Sequence, residues 1–450
     1  MGHCVTLEKM GVPTSPVVTV AFEQECKTNA AKRGMPRLRL VFSPHPVWGK
    51  TPDQLWGYMN GPDPATEKPM MQEVIGALTR PLTAADTKTG KETPSVGPAT
   101  FEPDTAKNLQ EFYRNNGYTD FLPIIIPTEE AVDEMLKGTS HHPDEVVGKL
   151  GAGGSTEAFA AWTFTVRHAA INAVMAGAKP EHLPVILAIA SSGFISLISS
   201  TNDLAYGALV NGPIRNKLNM NYGIGALGPF AHANAAIGRA WTLVSKNLGN
   251  AGIPGETYMG DMGNTLNYLN LMMAENEEAS PWEPFHVQHG FKKEENVVSM
   301  FSGLGVSAGQ VGKGSGVGGT PYFDKQYLDL FYNFTGFFGA LLLCEPICAN
   351  SLKEQGYDTK DKLIDYFYKN ATQTAKDYRD RNWSYLFEYG QALRGVEPFA
   401  TWYKLPDDAV IPKFPHPNRI SVVVIGGSTD PVSQVANFSY GKSVSIDKWM

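Results

Sequence analysis

The stretch between Ser15 and Phe42 constrains the fold more than any other. "SPVVTVAF" (15–22) is apolar with little polar alternation, as expected of a strand covered on both faces. "EQECKTNAAKRG" (23–34) reads as a helix closed by Gly34, and "RLRLVF" (37–42) as the next strand. A strand, a helix and a strand with short joints make a βαβ unit, so the two strands should be parallel. In an open parallel sheet, ligands bind outside the carboxyl ends of the strands. That rule selects two loops: Glu23-Gln24-Glu25-Cys26, which also opens the helix, and Ser43-Pro44-His45-Pro46.

The flanks extend this unit. "MGHCVTLEKMGVPT" is a helix that stops at Gly11, with Pro13 just beyond, and Thr51-Pro52-Asp53 is an N-cap followed by proline at the first helical position. Residues 1–82 therefore read as a small α-β-α-β-α domain of βαβ type. A helix feeding a parallel strand is normally a crossover, so a preceding strand and its site-forming loop are expected upstream of Met1, leaving this domain N-terminally incomplete. Residues 83–107, rich in Thr, Pro, Gly and Lys, form a linker or extended segment. Residues 108–450 form a larger α/β (or α+β) domain, with added surface helices at about 350–403. Within it "FLPIIIPT" (121–128) reads as a strand entering a Thr-capped helix, about 156–178 as a long helix, "SHHPDE" (140–145) as a helix start, 232–249 as a helix and "RISVVVIGG" (419–427) as a buried strand.

Composition excludes several classes. With 38 basic and 45 acidic residues the net charge is −7, which does not suit a broad nucleic-acid surface. The N-terminus has no basic n-region and no apolar h-region. "LPVILAIASSGFISLIS" (183–199) is shorter than a membrane span and is broken by Ser and Gly. Four cysteines in 450 residues do not make a disulfide scaffold, which points to the reducing cytoplasm.

His45 is the candidate acid or base, and Glu23, Glu25 and Cys26 stand on the same edge; a thiolate near a helix start is favoured by the dipole. Against this, the glutamates could merely favour the helix start and Cys26 could be a small core residue. In the larger domain "NGPIRNKLNMNYGIGALGPFAHANAAIGRAW" (211–241) combines Asn211, Arg215, Asn221 and His232 with glycines that lead to a helix start. Arg215 there is a candidate for pairing with a carboxylate or phosphate, and a tight loop under a core helix is the plainer alternative. "AENEEASPWEPFH" (274–286) gathers Glu275 and His286 with further acids; its spacing matches no standard metal site, and a solvated acidic turn is the simpler reading. Metal use is left unknown. "GVSAGQVGKGSG" (305–316) fails as a phosphate loop, because Ser307 and Gly314 stand where Gly and Ser or Thr are needed. No nucleotide-binding motif joins a strand to a helix in the first domain, so the cofactor is unknown.

Several longer segments resemble the UGSC family of bacterial proteins and selenoproteins, named for a selenocysteine- or cysteine-Gly-Ser-Cys motif. In the first domain these are "VTLEKMGVPT" and "GMPRLRLVFSPHPVWG". In the second they include "IIPTEEAVDEMLKGT", "INAVMAGAKPEHLPVILA", "VNGPIRNKLNMN", "GPFAHANAAIGRAW" and "ENEEASPWEPFHVQHGF". The resemblance implies thiol- or selenol-dependent redox chemistry on a small molecule, with the naming motif expected a few residues before His3. Ala178 stands where the resemblance leads one to expect a cysteine. Three functions follow. The first is a redox or thiol/selenol-dependent enzyme acting on a small, anionic organic substrate. The second is a non-redox lyase or hydratase using His45 and the carboxylates. The third is a non-catalytic substrate-binding subunit, in a homo-oligomer or beside a partner subunit that supplies redox thiols.

Overall fold

The computed structural model describes residues 2–47, 49–84, 86, 100–150, 162–249, 251–254, 259–310, 323–334, 336–381, 385–429 and 432–450. Helix α1 (Gly2–Lys9) leads to strand β1 (Val17–Thr19), a 3₁₀ turn (Val20–Phe22) and helix α2 (Glu23–Lys32). Strand β2 (Val41–Ser43) follows and pairs with β1 in parallel, Val17 opposite Val41 and Thr19 opposite Ser43. Both strands are shorter than the apolar runs that signal them. The chain after Thr19 tightens into the 3₁₀ turn, so only three positions remain for β2 to pair with.

Helix α3 (Pro52–Asn60) starts at a full capping box, with Thr51 and Gln54 satisfying each other's backbone N–H. Helix α4 (Met70–Thr79) completes the unit. Buried Asp63, between the two helices, takes the Phe42 N–H at 2.7 Å and so fixes the α3–α4 hairpin on β2.

Helix α5 (Ala106–Asn115) begins inside the segment expected as a linker (83–107), of which residues 85 and 87–99 lie outside the described residues, and α6 (Glu129–Leu136) follows it. The 121–128 stretch is not a strand. Pro123 and Pro127 cannot donate to a ladder. Instead the Gln110 side chain clamps Ile124, donating to its carbonyl at 2.6 Å and accepting its N–H at 3.2 Å. Thr128 does cap α6, accepting the Ala131 N–H.

The long helix expected over 156–178 is also corrected. Strand β3 (Val146–Leu150) pairs antiparallel with β4 (Trp162–Thr165), and helix α7 (Val166–Met175) begins only after it. Residues 156–161 lie outside the described residues. The β-branched and aromatic run Thr163-Phe164-Thr165 favours the pleated surface. Residues 140–145 turn into β3, not into a helix.

Helix α8 (Leu183–Ser191) carries the most apolar run of the sequence and is buried from Leu183 to Ala190. Strand β5 (Ala205–Asn211), the short helix α9 (Ile214–Lys217), helix α10 (His232–Gly249) and strand β6 (Leu271–Ala274) form a second parallel crossover. Then come helix α11 (Phe285–Gln288), the long strand β7 (Val297–Gln310), helix α12 (Phe323–Phe331), strand β8 (Ala340–Cys344), helices α13 (Pro346–Glu354) and α14 (Lys360–Asn370), and strand β9 (Thr372–Thr374). Helices α15 (Ala375–Arg381), α16 (Tyr385–Leu393) and α17 (Phe399–Trp402) precede strands β10 (Val410–Pro412), β11 (Ile420–Val424) and β12 (Val432–Ser445).

A six-stranded mixed sheet in the order β11-β8-β12-β7-β5-β6 organises the larger part of the chain. Alternation assigns its faces. Ala205, Leu209, Leu271, Met273, Phe301, Leu341, Leu343, Val423, Ala436 and Phe438 fill the inside of its curl. The odd-even partners face out into two helical layers. Ala208, Val210, Met272, Val298 and Met300 meet α7, α8 and α10, while Leu342, Cys344, Val422, Val424 and Val435 meet α12, α13 and α14. Register shifts at Ala436/Phe438 and Tyr440/Lys442 bend β12, the usual action of a bulge. Gly303 sits at the tight point of that curl, where a Cβ would lie 1.9 Å from the Asn437 carbonyl oxygen.

The 350–403 region is only partly peripheral. Leu352, Leu363 and Phe367 are fully buried against the sheet, whereas α15–α17 hold a small separate cluster of Tyr378, Phe399, Trp402 and Ile411.

Candidate functional site

Because β1 and β2 are parallel and in register, their last residues, Thr19 and Ser43, end on one edge. His45 lies two residues beyond Ser43, and the structure turns its ring back onto the end of β1. The Thr19 hydroxyl lies 3.2 Å from His45 Nδ1, and the Phe22 ring meets the imidazole edge-on at 5.9 Å between centroids. A hydroxyl can donate to a neutral imidazole or accept from a protonated one, so Thr19 holds the ring in either state. The ring stays exposed. Tyr58 of α3 donates to the Pro46 carbonyl at 3.2 Å, which pins the loop from its other side.

The three residues that open α2 diverge. Glu23 pairs with Lys27 one turn along at 2.5 Å. Glu25 turns to the larger part of the chain and accepts the Ser199 hydroxyl at 2.7 Å. Burial raises its pKa, and the Ser199 hydrogen bond opposes that rise. Cys26 points inward, 6% exposed; burial, with the adjacent Glu25 charge adding to it, pushes the thiol up to about 11. At neutral pH that sulfur is a thiol, not the thiolate a helix start would favour.

The second candidate cluster also forms at strand ends. Asn211 closes β5 and Glu275 follows β6, and a fully buried network joins them. Glu275 accepts from Asn211 Nδ2 at 2.6 Å, from the Phe285 N–H at 2.6 Å and from Lys360 Nζ at 2.9 Å. Arg215 is 2% exposed, and its guanidinium is committed to the chain itself. It donates to the Gly212 and Glu275 carbonyls and pairs with Glu277 at 3.0 Å and Glu278 at 3.1 Å. The 274–286 loop is therefore no solvated acidic turn. Glu275, Glu277 and Glu278 neutralise Arg215 and Lys360, while Glu278 and Glu283 are the exposed acids of the loop. Two polar atoms in this region, Asn211 Oδ1 and His286 Nδ1, are buried without a hydrogen-bond partner; His286 Nε2 lies 3.4 Å from the Lys293 carbonyl.

Asn221 and His232 shape the backbone around them. Asn221 donates to the Ile224 carbonyl and accepts the Gly223 N–H, fixing the glycine turn. His232 Nε2 lies 2.9 Å from the Gly177 carbonyl oxygen, and its ring stands 5.4 Å from that of His182. Burial, reinforced by His232, lowers the pKa of His182 to about 4.

The four cysteines are free thiols. Cys344 and Cys348 share the buried Tyr327 hydroxyl, at 3.3 and 3.7 Å, and burial holds the Cys348 pKa well above the ordinary value. Among the described residues, no group of three His, Cys, Asp or Glu side chains is arranged to hold a metal ion. Nor is any helix long and apolar enough to cross a membrane.

Sequence reasoning missed Thr19, Ser199 and Lys360. Thr19 was within reach, since it is the last residue of a strand whose carboxyl end was already singled out. Ser199 and Lys360 lie 174 and 85 residues from their partners and carry no local signal.

The fold and this edge define an α/β protein with a histidine and a carboxylate at the carboxyl ends of a small parallel sheet. The model of the UGSC family matches residues 1–58, the span that holds Thr19, Glu25, Cys26 and His45. That match supports the resemblance to the UGSC family over this N-terminal segment. No curated protein and no solved structure matches the chain.

Proposed function

We propose that the chain is an enzyme that acts on a small organic substrate at the carboxyl edge of β1 and β2, with His45 as the acid or base. The observation that carries this reading is the exposed His45 ring held at Nδ1 by Thr19. A histidine oriented at one nitrogen and open to solvent can take a proton from substrate and return it. Glu25 adds a carboxyl that burial biases toward the protonated form. Proton transfer of this kind suits a lyase or hydratase acting next to a carboxylate or carbonyl, without redox chemistry. Free cysteines without a disulfide fit a reducing cytoplasm.

The family match favours a second reading, thiol- or selenol-dependent redox chemistry, in which His45 serves the same proton role. Cys26 is a poor source of the reactive sulfur, being buried and shifted to about 11. In that reading the reactive group comes from elsewhere, such as a partner subunit.

One experiment separates the two. The full chain is incubated in D₂O with a panel of 2-hydroxy and 2,3-unsaturated carboxylates, and proton NMR follows exchange or hydration next to the carboxylate. The acid–base reading expects activity that survives alkylation of every accessible thiol and disappears in His45→Ala. Activity that is lost on alkylation defeats it in favour of sulfur chemistry, and activity kept in His45→Ala removes His45 from either reading.

A further inference from the structure

We propose that a cavity of about 600 Å³ between α12, the start of β9 and Lys413 binds a small organic monoanion with an apolar body. Its size falls in the ordinary range for small-molecule sites. Phe331 and Phe334, 1% and 6% exposed, form its apolar wall together with Ala371.

The polar side is unbalanced in a specific way. Lys413 is half-buried and donates to one acceptor, the Tyr332 carbonyl at 2.8 Å. Among the described residues it makes no ion pair. The nearby acid, Asp377, is taken by Arg381 at 3.1 Å and by the Thr374 hydroxyl at 3.0 Å. An ammonium with spare donors and no ion pair among the described residues, facing an apolar cavity, is the complement of a carboxylate. Burial accordingly lowers the Lys413 pKa, with the Asp377 charge opposing and Arg381 adding to the effect. Arg381 also donates to the Tyr332 hydroxyl at 3.2 Å and stands at the rim as a second cation. Asp329 lines the exposed rim too, so the lining as a whole carries no net positive charge and a single carboxylate is held chiefly by the Lys413 ammonium.

The probe is 3-fluorobenzoate, followed by fluorine NMR on the full chain, with 3-fluorobenzamide as its neutral counterpart. Saturable binding of the acid is expected, with the amide about tenfold weaker or more, as the loss of one charge-assisted hydrogen bond requires. Lys413→Met should lose about tenfold for the acid and leave the amide unchanged, while Lys413→Arg restores the preference. His45→Ala should bind 3-fluorobenzoate as the wild type does, which keeps this site distinct from the strand-end edge. Equal affinity for acid and amide, equal losses for both in Lys413→Met, or no saturation up to about 10 mM overturns the proposal. If Lys413→Met fails to fold, Arg381→Gln carries the test at the rim, with a severalfold loss confined to the acid expected and no change contrary to it.

Discussion

The Ser199 hydroxyl donates to the Glu25 carboxylate at 2.7 Å, joining the start of α2 to a residue 174 positions later. This bond ties the small parallel sheet to the larger part of the chain beside the candidate edge. Burial raises the Glu25 pKa and the Ser199 bond holds that rise in check. Ser199→Ala should therefore move the Glu25 titration further up. Carboxyl-labelled glutamate NMR across pH 3–8 measures it. A downward shift would show that the bond favours the protonated form instead.

Thr19 and His45 make a second testable pair, because the hydroxyl contacts only Nδ1. Thr19→Val keeps the β-branched shape but removes the partner that orients the ring. The expected result is a changed ratio of Nδ1–H to Nε2–H tautomers by nitrogen-15 NMR of labelled histidine. The turnover proposed above should fall about tenfold, less than the ~100-fold or more that the acid–base group itself contributes, because Thr19 orients the ring without transferring the proton. Unchanged tautomers in Thr19→Val would mean that the ring is oriented by other contacts.

The parallel pairing of β1 and β2 was legible because both-face apolar runs, a short helix and tight joints leave one economical arrangement. The same logic located His45. It could not anticipate how Cys26 would turn, since a helix start offers an inward and an outward position within one turn, and packing decides between them. The 121–128 stretch misled for a related reason: its apolar residues look like a strand, but two prolines remove ladder donors and the Gln110 side chain satisfies the backbone instead. The acidic loop at 274–286 reads locally as solvated surface. Its real partners are Arg215 and Lys360, far away in sequence, and long-range neutralisation of this kind leaves no mark in a window of residues.

The buried Lys360–Glu275 pair yields a stability prediction. Both side chains are at most 1% exposed, and Glu275 also accepts from Asn211 and the Phe285 N–H. Lys360→Met strands an uncompensated carboxylate and should destabilise the fold by about 3–5 kcal/mol. Adding Glu275→Gln to that variant removes the stranded charge while keeping an acceptor, and should recover a good part of the loss. Urea unfolding of the wild type, both single variants and the double variant measures the coupling. Strictly additive losses would show that the two groups do not depend on each other.

His182 predicts how stability responds to acid. The side chain is 2% exposed, its Nδ1 accepts the Lys179 N–H at 3.2 Å, and its pKa is lowered to about 4, first by burial and then by His232. The unfolded chain returns this histidine to about 6.5. Between those values the unfolded state binds the extra proton, so stability rises with pH across the window and falls as pH drops through it. The full span corresponds to at most about 3 kcal/mol, complete near pH 4. His182→Gln has no proton to take up in that range, so its stability should vary less between pH 4 and 6.5 than the wild type's. Thermal unfolding at half-unit pH steps, on the wild type and on this variant, gives the two slopes. Parallel slopes would assign the acid sensitivity of the fold to groups other than His182.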